Sequence, residues 1–391
     1  MKFDFDKVVD RHGTKCLKYD FAKERGRSDD MLPLWVADMD FPTAPGIQKS
    51  LSDAVAHGIY GYSEGKDDYF QAAAGWYEKH FGWKVEKEWL IKTPGVVFAL
   101  AMAVKAYTKE GDAVLLQQPV YYPFSEVITD NHRRLINSPL QQIDGHYEIN
   151  FEEFEQKIVD ENVKLFLMCS PHNPVGRVWK EWELRKIGDI CLKHNVLVVS
   201  DEIHSDFTYG ENIHHVFASL DEKYAAITTT CTAPSKTFNI AGLQISNIWI
   251  SNPELRARFR AEVTAAGYSQ VNLMGLVACQ AAYETGEEWL KELKIYLEGN
   301  LDYVRTFLKE NLPEIKLTEP EGTYLLWLDF KSLGMKEEQL KDLVENKAKL
   351  WLDSGAMFGP DGEGFERINI ACPREILKQA LTQLAEAVHD R

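Results

Sequence analysis

The sequence has no pair of cysteines at C-x-x-C spacing and no clustered His/Cys set. Its six cysteines, Cys16, Cys169, Cys191, Cys231, Cys279 and Cys372, lie far apart. Several fall in apolar runs, where a thiol behaves as a small hydrophobe. Neither a disulfide scaffold nor a zinc module is expected, and no metal site. No apolar run approaches the ~20 residues of a membrane span. The opening MKFDFDKVVD is polar and acidic, where a secretory leader is basic and then apolar. Basic excess is also missing: Lys plus Arg number 44 against 60 for Asp plus Glu, a formal net charge of −16. Such a field repels phosphate backbones and anionic lipid surfaces, so neither nucleic acid nor membrane is an expected partner. A local pocket for one small anion stays open. Internal repeats and low-complexity linkers are absent, and the expectation is a soluble, cytoplasmic protein.

What is present is globular: 391 residues, 45% hydrophobic and 27% charged, long enough for two domains. Ala113–Leu116 (AVLL), Leu165–Cys169 (LFLMC) and Val196–Val199 (VLVV) are too apolar for a sheet with one wet face. Between the last two, Leu184, Ile187, Cys191 and Leu192 line one face of a helix. AAITTTC (225–231) and ISNIWI (245–250) continue the strand series. Strands alternating with crossover helices predict an α/β fold, a mostly parallel mixed sheet flanked by helices. Ligands in such sheets sit at the carboxyl ends of the strands.

Past about residue 285 the character changes to a smaller α+β unit. A polar helix around 289–310, strands at YLLWLDF (324–330) and FERINIA (365–371), and a tail helix after Pro373 are expected. MKEEQLKDLVENKAKL supports a helix through Leu340, Leu343, Val344 and Leu350. The expected division is an N-terminal arm (1–45), a large domain (46–285) and a small C-terminal domain (286–391). The arm has few periodic signals and is expected to wrap over the large domain and pack with the small one.

Four strand ends carry unusual residues. Thr93-Pro94-Gly95 joins a strand to a long apolar helix, a geometry that suits a phosphate and equally an ordinary turn. Asn173 before Pro174 either bears chemistry or shapes its turn. Asp201 directly follows VLVVS, where an acid needs a partner, functional or a structural salt bridge. Ser235 and Lys236 lie in a small-residue turn, and a lone lysine there is ordinarily solvated. Together, an anion-binding helix start, an asparagine, a buried acid and a lysine at one sheet edge are the parts of a pyridoxal-phosphate site.

The motifs H-N-P-x-G at 172–176, D-E-I-H at 201–204 and S-K-T-F-N at 235–239 resemble the fold-type I pyridoxal-phosphate enzymes of the aminotransferase superfamily, and the likeness runs along the whole chain. FDKVVDRHGTKCLKYD, LPLWVADMDFPTAP, HGIYGYS and SDEIHSDF resemble the MalY/PatB group of C–S lyases, and TAPSKTFNIAGLQ its PatB side. The resemblance implies that Lys236 carries pyridoxal 5′-phosphate as a Schiff base and then moves the substrate's Cα proton. By the same likeness Asp201 pairs with the ring nitrogen, Asn173 with the phenolic oxygen, and Tyr121 stacks on the ring, although a packed aromatic is its plainer reading. Backbone at Gly95, Val96 and Val97 and the Ser235 hydroxyl hold the phosphate. Tyr62 reaches the site from a second subunit, which implies a homodimer. Arg367 grips the substrate carboxylate, with backbone around Val36 and Ala37 closing over it; a solvated sheet-edge charge is the alternative for Arg367.

Two positions depart from the superfamily pattern. Gln244 stands where many members carry a phosphate-binding arginine, and His204 where they often carry a tyrosine. His204 assists near the ring oxygen or is a structural histidine. The activity implied is a β-elimination on L-cystathionine or related cysteine thioethers, as in methionine biosynthesis, giving pyruvate, ammonia and a thiol. An aminotransferase of the same fold, or a MalY-like regulatory binding protein with incidental lyase activity, are the alternatives.

Overall fold

The computed structural model describes residues 2–391. Seven strands form the main sheet: β1 (Leu90–Thr93), β2 (Ala113–Leu116), β3 (Arg134–Asn137), β4 (Leu165–Cys169), β5 (Leu197–Asp201), β6 (Thr228–Thr232) and β7 (Ser246–Trp249). Their spatial order is β1-β7-β6-β5-β4-β2-β3. Strand β7 runs antiparallel to both neighbours, and the other ladders are parallel. The carboxyl ends of β1, β2, β4, β5 and β6 therefore meet at one edge.

The apolar strands partition by alternation, as a sheet buried on both faces requires. Val114, Leu116, Leu165, Leu167 and Val199 face one cluster, shared with α1 (Val96–Tyr107) and a later helix, Pro253–Ala265. Ala113, Leu115, Phe166, Met168 and Val198 face the other, closed by Leu184, Ile187 and Cys191 of the helix Glu181–Lys193. The threonine-rich strand starts later than its composition predicts, at Thr228, because Asp221 caps a short helix, Glu222–Ala225, that takes the leading alanine.

A second, antiparallel sheet has the order β8-β9-β11-β10, from β8 (Lys316–Thr318), β9 (Leu325–Asp329), β10 (Asp353–Ser354) and β11 (Phe365–Asn369). It packs with the long helix Glu287–Asn311 and the tail helix Arg374–His389. Leu350 is not helical. The helix at Glu337–Lys341 passes into a π-type turn over Asp342–Lys347; Lys349 then adopts φ 55°, and Leu350–Trp351 pairs in parallel with Leu32–Pro33. That partner lies more than three hundred residues away, so no local pattern announces it.

The same pairing fastens the N-terminal arm. Its backbone is tied mainly to the C-terminal part: Leu34 N–H donates to Trp351 O (2.8 Å), Asn369 N–H to Leu34 O (2.9 Å) and Asp40 N–H to Ala371 O (2.9 Å). Asn239 fastens the other side, accepting from Met39 N–H (2.9 Å) and donating to the carbonyls of Met39 and Phe41.

Trp327 on β9 joins the second sheet to the main core. It lies opposite Arg367, stacks on Phe365 (4.9 Å, 6°) and donates to Tyr147 Oη (3.1 Å). Trp327→Ala is expected to cost about 3–5 kcal/mol, by cavity formation and the loss of stacking. A lowered midpoint of denaturant unfolding checks this.

Candidate active site

A cavity of about 220 Å³ opens at the carboxyl edge of the main sheet. Each wall is a strand end. Strand β1 leads through Pro94 and Gly95 into α1, whose first-turn amides have no acceptor within the helix. Gly95 is extended, with φ 176°, and a Cβ built there meets nothing within 4 Å, so the space before the helix start is open. Tyr121 follows β2, its amide held by Asn173 O (3.0 Å). Asn173 follows β4, Asp201 ends β5, and Ser235 and Lys236 sit in a one-turn helix, Pro234–Thr237, after β6.

Asp201 is buried between Cys169 and Cys231 in register. Its carboxylate accepts Ile203 N–H (3.1 Å), and no cation lies within salt-bridge distance among the described residues. The structural-salt-bridge reading therefore fails. Burial pushes its carboxyl up to about 7, against the pull of the Ile203 amide and of Lys236. Burial likewise draws the Lys236 ammonium down to about 8; Asp38 and Asp201 act against the shift and Arg367 adds to it. Lys236 Nζ donates to Ala37 O (2.7 Å) and makes no ion pair among the described residues. It is not the solvated loop lysine of the plainer reading. His204 is buried with Nδ1 unpartnered, and burial with Lys236 and Arg367 nearby holds it well below the usual imidazole range.

Arg367 is 2% exposed on β11, an inner strand, which removes the sheet-edge alternative. It donates to Asn173 Oδ1 (3.1 Å), Trp35 O (2.8 Å) and the Asp353 carboxylate. Val36 O accepts from Asn369 Nδ2 (2.7 Å), fixing the segment that also presents Ala37. Buried and half-buried charges clamp its far end: Arg11 pairs with Asp38 and Asp40 (2.6 Å each), and the fully buried Lys18 with Asp40 (2.8 Å).

The structure thus brings Gly95, Val96, Val97, Tyr121, Asn173, Asp201, His204, Ser235, Lys236 and Ala37 to one cavity, with Arg367 joined to it through Asn173. Three positions stay apart. Val36 does not line the cavity, although its neighbour Ala37 does. Tyr62 is 93% exposed and outside the cavity of this chain, and Gln244 is exposed with φ 51° and does not line it. Sequence reasoning missed three residues. Asp38 acts on Lys236; Tyr324 donates to Ala37 O (3.1 Å) and meets His204 edge-on at 5.9 Å; Asp353 holds Arg367. Asp353 had a signal, an acid ending the apolar LWL run, the same one that exposes Asp201.

A lysine amine without an ion pair, an acid without a cation, an orphaned imidazole nitrogen and an open helix start are the complementary groups that pyridoxal 5′-phosphate requires. Comparison with known proteins points to the same cofactor. The family model "Aminotransferase class I and II" matches residues 29–384. Cystathionine beta-lyase PatB of Bacillus subtilis (strain 168) is 43% identical over 98% of this chain and 100% of its own. A PLP-bound protein of Clostridium difficile 630, provisionally described as an aminotransferase, superposes with TM-score 0.96 at 43% identity, covering 99% of this chain and 100% of its own. Cystalysin from Treponema denticola, whose crystal contains pyridoxal 5′-phosphate, superposes with TM-score 0.96 at 39% identity, covering 100% of both chains. With likeness along the full length and the motif residues gathered at one cavity, the chain belongs to the class I and II aminotransferase family and, within it, to the group that contains PatB.

Proposed function

We propose that the protein is a pyridoxal-phosphate-dependent C–S β-lyase that cleaves L-cystathionine or related cysteine thioethers to pyruvate, ammonia and a thiol. The observation that carries this reading is the convergence on one cavity of Lys236, drawn down to about 8, with an uncompensated Asp201 and, through Asn173, the buried Arg367. Similarity to PatB supplies the reaction class.

Lys236 would hold the cofactor, with Asp201 available to its ring nitrogen, Asn173 and His204 to its phenolic oxygen and Tyr121 to its ring face. The amides of Val96 and Val97, with the Ser235 hydroxyl, hold its phosphate. When bound, pyridoxal 5′-phosphate supplies the electron sink for the pair left at Cα. Arg367 and the carbonyl-lined segment at Val36–Ala37 orient the substrate by its α-carboxylate, aligning the Cα–H and Cβ–S bonds. Lys236 Nζ, as a neutral amine, would take the proton from Cα; the C–S bond breaks and sulfur leaves as a thiolate, which needs no strong acid. The remaining three-carbon fragment takes up water and yields pyruvate and ammonia.

The reading includes the division into an arm (1–45), a cofactor-holding domain (46–285) and a small domain (286–391). It also includes a cytoplasmic homodimer in which Tyr62, exposed at 93% on the single chain, enters the other copy's site. The test is an assay of purified holoenzyme with L-cystathionine and no keto acid. Equal release of pyruvate and thiol is expected. No release, with amino transfer appearing once a keto acid is added, replaces the lyase with an aminotransferase.

A further inference from the structure

Arg367 is more fully engaged than a free anchor for a ligand. A guanidinium offers five N–H donors in one plane, and a carboxylate takes two of them along one edge. Both donors of Nη2 are occupied, one on Trp35 O (2.8 Å) and one on the Asp353 carboxylate, and one of Nη1 lies on Asn173 Oδ1 (3.1 Å). Nε is buried and has no partner. The two edges that can meet a carboxylate are Nε with Nη2 and Nη1 with Nη2, so both include the saturated nitrogen. An incoming carboxylate grips Arg367 with two hydrogen bonds only by displacing Trp35 O or Asp353.

Trp35 O is a main-chain carbonyl in a segment pinned through Leu34 to Trp351 and Asn369. Asp353 is a side chain, and the one of the two that carries charge. It is 3% exposed, and the only cation within salt-bridge distance of it is Arg367, among the described residues. The pair is neutral; a second carboxylate on the same guanidinium leaves one net negative charge in a site shielded from water, an unfavourable like-charge contact. Burial pushes the Asp353 carboxyl up against the pull of Arg367.

We propose that Asp353 is a specificity-determining residue: it competes with the substrate's α-carboxylate for the guanidinium of Arg367, holding the arginine in place before binding and being displaced from it on binding. This rests on the reading of Arg367 as the carboxylate anchor. Asparagine at this position keeps an acceptor oxygen for Nη2 and removes the competing charge, so the arginine stays while its internal rival goes.

The experiment is calorimetric titration of the holoenzyme with 3-(methylthio)propionate, a thioether carboxylate with no amine and hence no route into the reaction. Asp353→Asn is expected to bind it about tenfold more tightly than wild type, as removal of a like charge in a desolvated site predicts. KM for a cysteine thioether falls with it while kcat changes less. Equal or weaker binding overturns the competition and leaves Asp353 as a support for Arg367. Asp353→Ser removes the same charge with less volume and decides the matter if the asparagine variant does not fold. Arg367→Ala separates the two claims. It is expected to abolish binding, and wild-type affinity in that variant removes the anchor reading itself, whatever Asp353 does.

Discussion

Lys236→Ala is expected to abolish turnover, by 10²–10⁴-fold or more, the range a positioned general base contributes. It is also expected to erase the visible absorbance that a lysine-linked cofactor gives. The argument starts from burial. Among the described residues Nζ has one protein partner, Ala37 O at 2.7 Å, and no carboxylate within salt-bridge distance, so burial leaves the ammonium poorly compensated and draws it down to about 8. That proton affinity suits an amine that must be neutral to take a proton near neutral pH and must give it back within the same cycle. In the cofactor-free protein the rate of cofactor uptake is therefore expected to rise through about pH 8, as the amine becomes neutral. Alanine at 236 has no group to replace it: the neighbouring imidazole, His204, is held well below the usual range and has no acceptor for its Nδ1. Unchanged turnover with the visible band intact in Lys236→Ala would falsify the assignment of this lysine.

How much of this was legible depends on whether a residue's evidence is local. Asp201 could be read because an acid closing a buried strand violates the ordinary composition of such strands, and the α1 start could be read from strand, Thr93-Pro94-Gly95 and a long apolar helix in succession. The parallel sheet followed from strands apolar on both faces. Lys236 and Ser235 carried little alone and gained meaning only from the other strand ends and the motif likeness. The unread features are all long-range. Leu350 forms a strand because Leu32 pairs with it. Ala37 presents its carbonyl to Lys236 from 199 positions away. Asp353 touches Arg367 because β10 pairs with β11. The arm is fastened by Arg11, which the fold half-buries, and Lys18, which it buries fully, against Asp38 and Asp40 from 20 and more positions away.

Asp201→Asn is expected to act in opposite directions on function and on the stability of the cofactor-free chain. The carboxyl has an ordinary value of 3.8 and a folded value of about 7, so between those values the folded state binds more protons than the unfolded one. Stability contributed by this group is therefore present at low pH and lost as pH rises through about 4 to 7, leaving the full penalty above pH 7. A shift of that size corresponds to roughly 4 kcal/mol, the cost of an ionised carboxylate flanked by Cys169 and Cys231 in place of cations. Asparagine is nearly isosteric, keeps an acceptor for Ile203 N–H and carries no charge. Cofactor-free Asp201→Asn is thus expected to unfold at higher denaturant concentration than wild type at pH 8, the gap closing toward pH 4. With cofactor present the same change removes the one anion available to a ring nitrogen, and turnover is expected to fall by about 10²–10³-fold or more, the scale of losing one preorganised electrostatic contact. A buried acid with only a structural role predicts the reverse pairing: lower stability at pH 8 and turnover close to wild type. Denaturant midpoints of the cofactor-free proteins at the two pH values, measured beside kcat of the loaded enzymes, distinguish the two, because a residue that burdens the empty fold and sustains the reaction is kept for the ligand it meets.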